Sequence, residues 1–281
     1  MTPLDERKRV AWPAVVDRAR AIVASYDTGV TLRQLFYRLV SEQLIPNNQS
    51  AYGHLSRLTA EARRRNKFPD LLDLGRNIHR RSSWSSVPDV LHSAWSGYRR
   101  DRTEGQAWSI YLAIEKRGIV QQLDSWFADL GLPILPLGGY SSQTFADDVR
   151  ADAERIGRPT VLIYAGDFDA SGEDIDRDFM ARTDCWDKAH RIALTRDQVE
   201  EFELPVNPGK AADSRAQKFV SKHGELVQVE IDALPPDVLH GMFLEAIGEY
   251  WDERAYRDVL ERESSERDRL RQLVEQEGGA A

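Results

Sequence analysis

The spacing of hydrophobic and polar positions changes once along the chain, from a helical repeat to strands alternating with helices. In residues 12–26 and 31–43, apolar side chains recur every three or four positions, which predicts two amphipathic helices, the second capped by Thr31. After the turn IPNN, a third predicted helix runs from about Gln49 to Lys67. Three short helices with a tight turn between the second and third predict a helix-turn-helix unit.

From about Gln106 onward, short apolar runs alternate with helical patterns. The runs WSIYLAIE, LPILPLGGY and TVLIYAGD predict strands, and the segments that follow each of them predict helices. This alternation predicts a parallel sheet with helices on both faces. We therefore expect an α/β fold preceded by a mainly α domain.

These patterns divide the chain into three predicted domains. Residues 1–104 form the helix-turn-helix domain, residues 105–190 the parallel sheet, and residues 191–281 a mixed α/β region that ends in a charged helix. That last helix has only a thin apolar seam, so we expect it to be solvated; a dimerisation helix is the alternative.

Charge is distributed unevenly between the two ends of the chain. The net charge is −8, yet residues 1–104 hold 18 basic and 11 acidic side chains, whereas residues 105–281 hold 20 and 35. Such asymmetry is typical of a basic nucleic-acid-binding part beside an acidic part with another task. The alternative for the asymmetry is that two ordinary domains differ in charge by chance, and the alternative for the helices is a bundle with a solvated basic face. The candidate phosphate contacts, on the third helix and on a predicted wing at residues 68–81, are Arg57, Arg63, Arg64, Arg65, Lys67, Arg76, Arg80 and Arg81.

Composition narrows the class of protein further. Cys185 is the only cysteine, which excludes an internal disulfide and a multi-cysteine zinc site and fits a reducing compartment. The apolar runs are shorter than the roughly 18–20 residues of a membrane span, and MTPLDERKRV has no apolar signal-peptide core. We therefore expect a cytoplasmic protein without membrane contact.

Acidic residues follow two of the predicted strands. Glu115 comes after the first strand in AIEKRG, and Asp167 and Asp169 come after the third in YAGDFDASGED. Ligand sites in parallel sheets lie beyond the carboxyl ends of the strands, and carboxylates suit Mg²⁺. The sequence therefore predicts one magnesium site; for the two aspartates alone, a solvated turn before a helix is the simpler alternative.

Together the two acidic motifs resemble the Toprim domain shared by topoisomerases, primases and certain nucleases. TLRQLFYRLV, with Arg33 ahead of Phe36 and Tyr37, is similar to the arginine–tyrosine–tyrosine signature of the topoisomerase VI A subunit and its meiotic double-strand-break relative. GGYSSQTFADDVR also looks like a segment of that family. The resemblance covers roughly residues 5–195 and implies a winged-helix domain followed by a Toprim domain, as in compact phage and plasmid versions.

The resemblance implies a covalent mechanism on double-stranded DNA. Tyr37 takes the position of the nucleophile, Phe36 replaces the first tyrosine of the signature, and Arg33, one helical turn before Tyr37, is a candidate to assist it. Glu115, Asp167 and Asp169 would hold Mg²⁺, for which Mn²⁺ can substitute, to neutralise charge at the phosphate. The family also implies a homodimer in which the tyrosine of one subunit meets the metal site of the other. The alternative for Tyr37 is an aromatic side chain packed in the core.

The sequence also bears on ATP binding and on partner proteins. NPGK at 207–210 lacks the phosphate-binding loop pattern, so we expect no ATP site in this chain, and ATP-driven strand passage would require a separate ATPase B-type subunit. We expect a nucleoid-associated enzyme of the topoisomerase class. The rivals are a Toprim nuclease that hydrolyses DNA with metal-activated water, and a non-catalytic dimeric DNA-binding protein.

Overall fold

The computed structural model of the chain describes residues 10–26, 29–73, 81–209 and 213–278. Its α-helices are α1 (Trp12–Ala24), α2 (Leu32–Ser41), α3 (Gln49–Arg64), α4 (Val87–Gly97), α5 (Val120–Phe127), α6 (Gln143–Ile156), α7 (Gly172–Thr183), α8 (Arg196–Glu201), α9 (Ala216–His223), α10 (Pro236–Gly248) and α11 (Glu253–Gly278). Its strands are β1 (Ser109–Ile114), β2 (Ile134–Pro136), β3 (Thr160–Ala165), β4 (Lys188–Ala193), β5 (Asn207–Pro208) and β6 (Val227–Gln228). Two 3₁₀-helices span Arg117–Ile119 and Ile231–Ala233.

Helices α1 to α3 form where the hydrophobic spacing predicts them, around a core of their own. Thr31 caps α2 as expected: its hydroxyl accepts from the Gln34 N–H, and the Gln34 side chain accepts from the Thr31 N–H. Leu35, Leu39 and Leu55 are fully buried between the helices. Half of the predicted wing, including Arg76 and Arg80, lies outside the described residues, so the winged-helix assignment stays a prediction.

A four-stranded parallel sheet in the order β2-β1-β3-β4 forms the centre of the α/β part. Every residue of β1 and β3 is buried, as their continuous apolar runs predict. One face of the sheet packs against α5 and α10, for example through Leu123 and Phe243, and the other against α6 and α7, through Val149 and Phe179. The expected α/β architecture, a parallel sheet flanked by helices, is confirmed.

Strand β4 continues this sheet across the predicted boundary at 190/191. It pairs in parallel with β3, with Leu162 opposite Ala189. After β4 the chain forms a short antiparallel pair, β5 with β6, and the helices α8 to α11. The second 3₁₀-helix packs against α2, so the last part of the chain contacts the N-terminal helices directly.

The terminal helix α11 is exposed over most of its described side chains, as expected of a solvated helix, and one side of it packs along α4. Val259 is fully buried, and Glu263 forms a buried ion pair with Arg102 at 2.8 Å. The apolar seam is thin because α11 is also held by this charge pair, with a residue of the segment that follows α4. No helix among the described residues combines the length and the hydropathy needed to cross a membrane.

Candidate active site at the carboxyl edge of the sheet

Two of the predicted acidic residues meet where β1 and β3 end side by side. Glu115 follows β1, and its Oε2 accepts a hydrogen bond from the Asp167 N–H, 2.9 Å away, just beyond β3. The main chain approaches this carboxylate closely because positions 166 and 172 are glycines. A Cβ at Gly166 would lie 3.0 Å from Glu115 Oε2, and one at Gly172 would lie 3.3 Å from it. The predicted convergence of these strand ends therefore places two carboxylates together.

Asp167 is the most deeply buried of the predicted acids. Its Oδ1 accepts from the Ile231 N–H at 2.9 Å, and its Oδ2 forms an ion pair with Lys116. Burial raises the pKa of Asp167 well above its usual range, the neighbouring charge of Glu115 adds to this rise, and the Lys116 ammonium opposes it. Asp167 therefore depends on a nearby cation to remain ionised.

Asp169, the third predicted ligand, has a different contact. Its Oδ1 accepts from the Gly172 N–H at 2.6 Å, at the first turn of α7, where a carboxylate also complements the helix dipole. Among the described residues, no group of three or more histidine, cysteine, aspartate or glutamate side chains has a metal-binding arrangement. The structure thus brings Glu115 and Asp167 together, with Asp169 turned to cap the helix.

Glu230, a residue that sequence reasoning missed, connects the N-terminal helices to this site. Its Oε2 lies 2.5 Å from the Lys116 Nζ and 2.9 Å from the Arg33 Nη2, and its Oε1 accepts from the Tyr37 hydroxyl at 3.0 Å. Burial opposes the ionisation of Glu230, yet Lys116 and Arg33 outweigh it and hold its pKa below the usual range. Glu230 is therefore an ionised carboxylate shared between the candidate nucleophile and two cations.

Tyr37 and Arg33 lie one helical turn apart on α2, both facing Glu230. The Arg33 guanidinium is 5.2 Å from the centre of the Tyr37 ring, and its Nη2 is 3.5 Å from the hydroxyl oxygen. Burial and then the charge of Glu230 raise the pKa of Tyr37 to about 12, against the opposing effect of Arg33. In this conformation the phenol is protonated at neutral pH, so a nucleophilic role requires that its proton be taken up.

The family resemblance implies that Tyr37 meets the metal site of a partner subunit. In this structure Tyr37 is already linked to the acids of its own chain, through Glu230 and Lys116 to Asp167. This path runs from α2 to the carboxyl edge of the sheet within a single chain. The structure therefore favours a site formed within one chain, whereas the family resemblance implies that each tyrosine acts in the metal site of the partner subunit.

A cleft of about 380 Å³ opens beside this network, between the start of α2 and the ends of β1 and β2. Arg33, Lys116 and Arg117 contribute three cations to its lining, and Glu115 and Asp232 contribute two carboxyl groups. Gly139 also lines the cleft, with a positive φ of +92° that favours glycine. Cations beside a carboxylate pair suit an anionic substrate such as a phosphodiester.

Asp232, which lines the cleft, is a further carboxyl group that the sequence did not single out. Its side chain is 1% exposed, and its Oδ2 lies 3.5 Å from the Arg33 Nε without a hydrogen bond from the described part of the chain. Burial raises the pKa of Asp232 to about 6, while Lys116 and Arg33 oppose the rise.

Six of the eight predicted phosphate contacts lie within the described residues, and four of these six are at the end of α3. Arg57, Arg64, Arg65, Lys67 and Arg81 are exposed, and Arg63 is half-buried. Glu61 pairs with Arg65 at 2.6 Å and with Arg57 at 3.9 Å, which reduces the local positive charge. The remaining cations still give the end of this helix a basic surface.

Lys116 and Glu230 carried little signal in the sequence. The one signal in the sequence that marks Lys116 is its position directly after the strand-end carboxylate Glu115. Glu230 lies in LVQVEID, which looks like an alternating strand, and its contact with α2 spans almost 200 residues. A comparison of the chain with protein-family models and with curated proteins finds no match.

Proposed function

We propose that this chain is a DNA-cleaving protein of the topoisomerase VI A type, which makes double-strand breaks by Mg²⁺-dependent tyrosine transesterification. The observation that carries the proposal is the continuous path from the Tyr37 hydroxyl through Glu230 and Lys116 to Asp167. A phenol, an arginine and strand-end carboxylates are the groups that this reaction needs. Their contact within one folded chain is hard to explain by packing alone.

In the proposed reaction Tyr37 Oη attacks a DNA phosphorus. A tyrosine–phosphorus bond forms, the bond from phosphorus to one deoxyribose oxygen breaks, and the phenolic proton passes to water. The released sugar oxygen takes a proton from solvent and becomes a hydroxyl. Arg33 remains beside the attacking oxygen, where its charge stabilises the phosphate oxygens.

The donor groups of the site fit a divalent cation, because Asp167 and Glu230 already share the Lys116 ammonium. The sequence-predicted ligands Glu115, Asp167 and Asp169 would hold Mg²⁺ or Mn²⁺, which would neutralise charge on the scissile phosphate and the leaving oxygen. Asp169 would have to give up its hydrogen bond from the Gly172 N–H to do so. The exposed cations at the end of α3 would bind the flanking DNA backbone. Two copies of the chain would cut the two strands, and a separate ATPase subunit would drive strand passage.

The test uses supercoiled plasmid with Mg²⁺ or Mn²⁺, stopped with detergent and run on a gel with and without protease. Wild type is expected to give linear DNA that enters the gel only after protease, and Tyr37→Phe is expected to give none. Tyr52→Phe is the matched control, because it removes a hydroxyl from a tyrosine that packs on Phe36 outside the network. Loss of cleavage in both variants would point to damage to the fold.

A hydrolytic Toprim nuclease is the second candidate, and one observation favours it. The Tyr37 hydroxyl donates to an ionised carboxylate and its pKa is raised to about 12, as in a residue with a structural role. Protease-insensitive cutting that persists in Tyr37→Phe and disappears in Asp167→Asn would establish this reaction instead. DNA binding without any cutting, even with a candidate ATPase present, would indicate a binding protein.

A further inference from the structure

The centre of the acidic site is occupied by a cation that belongs to the chain itself. The Lys116 ammonium lies between Asp167 Oδ2 and Glu230 Oε2, and it is 2.5 Å from the latter. The three side chains are 15%, 5% and 10% exposed, in the order Lys116, Asp167, Glu230. Two nearly buried carboxylates thus converge on one point of positive charge.

Both carboxylates are held at this point by contacts that do not involve the lysine. Asp167 accepts from the Ile231 N–H, and Glu230 accepts from Arg33 and Tyr37. The two carboxylates come from segments that are far apart along the chain. Asp167 lies just after β3, and Glu230 lies just before the second 3₁₀-helix. The position is therefore built by the fold, and Lys116 is its present occupant.

Lys116, by contrast, has an alternative place to go. It lines the cleft of about 380 Å³, and so does Asp232, whose buried Oδ2 accepts no hydrogen bond within the described residues. A lysine side chain has four rotatable bonds, so its ammonium can move while its main chain stays in place. Asp232 thus supplies, in the lining of the same cleft, an acceptor that is paired with Arg33 at 3.5 Å but receives no hydrogen bond from the described residues.

We propose that the divalent cation binds where the Lys116 ammonium lies, with Asp167 and Glu230 as ligands, and that Lys116 is an internal cation which competes with it. Glu230 thereby becomes a metal ligand in addition to the three acids predicted from the sequence. On loading, the displaced ammonium moves into the cleft towards Asp232, where it faces the DNA phosphate. The inference rests on the proposed function in that this cation is the one used in cleavage.

The test measures Mn²⁺ binding by calorimetry, without DNA, for wild type, Lys116→Met and Glu230→Gln. Methionine keeps the length of the side chain and removes its charge, so Lys116→Met is expected to bind Mn²⁺ about tenfold more tightly. Glu230→Gln removes one ligand charge and is expected to bind about tenfold more weakly. The matched control is Lys222→Met, which breaks another lysine–carboxylate pair, with Glu173 at 3.0 Å, and should leave the affinity unchanged.

Equal or weaker Mn²⁺ binding by Lys116→Met would overturn the competition, and unchanged binding by Glu230→Gln would remove Glu230 from the ligands. Lys116→Met leaves buried Asp167 without its counter-ion, so we expect the metal-free variant to be less stable than wild type. Millimolar Mn²⁺ should restore its thermal unfolding transition, and the same concentration of K⁺ should not. Failure of Mn²⁺ to restore it would contradict the proposal.

These readouts separate the inference from the proposed function. Tighter Mn²⁺ binding by Lys116→Met in a protein that never cuts DNA would keep the metal position and reject the cleavage reaction. Tyr37-dependent cleavage by wild type, with unchanged Mn²⁺ affinity in Lys116→Met and Glu230→Gln, would keep the reaction and reject this metal position.

Discussion

Two glycines allow the carboxylates of the candidate site to approach the main chain, and this close approach gives a prediction for single residues. A Cβ at Gly172 would overlap the main-chain oxygen of Asp167, which cannot move away as a flexible side chain could. Gly172→Ala should therefore lower the free energy of unfolding by about 1–3 kcal/mol and weaken Mn²⁺ binding. Urea unfolding and calorimetry measure the two effects.

Gly241→Ala is the control for that substitution. Gly241 lies in α10, where a Cβ meets no described atom within 4 Å. Alanine there should raise the free energy of unfolding by about 0.5–1 kcal/mol through helix propensity. Equal stability of the two variants would show that the site tolerates a methyl group beside Asp167.

The sequence predicted a site residue only where the pattern of neighbouring residues marked its position. Glu115 and Asp167 could be predicted because each directly follows an apolar strand, and parallel strands end at one edge. The contact between Tyr37 and Glu230 could not be predicted, because the spacing of apolar residues carries no information about contacts between such distant positions. Asp169 was placed correctly in the turn, but its orientation was decided by the free N–H of Gly172.

Among the elements, the contact between α11 and the segment that directly follows α4 gives the next prediction. Glu263 on α11 pairs with Arg102 and also accepts from the Arg100 N–H at 2.9 Å. Glu263→Gln leaves a buried guanidinium without its counter-ion, so the free energy of unfolding should fall by about 3 kcal/mol or more. Glu261→Gln, an exposed change on the same helix, should stay within about 0.5 kcal/mol of wild type. Similar stability of both variants in urea unfolding would show that the pair is not needed.

The elements differ in how well the pattern of side chains predicted them. Strands β1 and β3 are central and buried on both faces, so their apolar runs mark them clearly. Strand β4 is at the edge and reads KAHRIA, with its first two residues exposed, so it lacks such a run. The packing of α11 was also hard to predict from hydrophobic residues, because one of its buried side chains is the glutamate paired with Arg102.

At the scale of the whole molecule, the N-terminal helices and the sheet share one site because polar contacts join them. The Gln34 side chain donates to that of Gln122 on α5 at 2.8 Å, and Arg33 pairs with Glu230. These contacts hold α2 against the carboxyl edge of its own sheet. In a homodimer, each subunit would then carry a complete site.

This arrangement can be tested with heterodimers purified through two different tags. If each site forms within one chain, a dimer of Tyr37→Phe with Asp167→Asn has a defect in both sites, and it should not nick plasmid. A dimer of wild type with the Tyr37→Phe/Asp167→Asn double variant keeps one intact site and should nick one strand. Exchange of the tyrosine between subunits would reverse both results, because the first dimer would then hold one intact site and the second dimer none. Gel assays of these two heterodimers therefore decide between the contact seen within this chain and the exchange implied by the family resemblance.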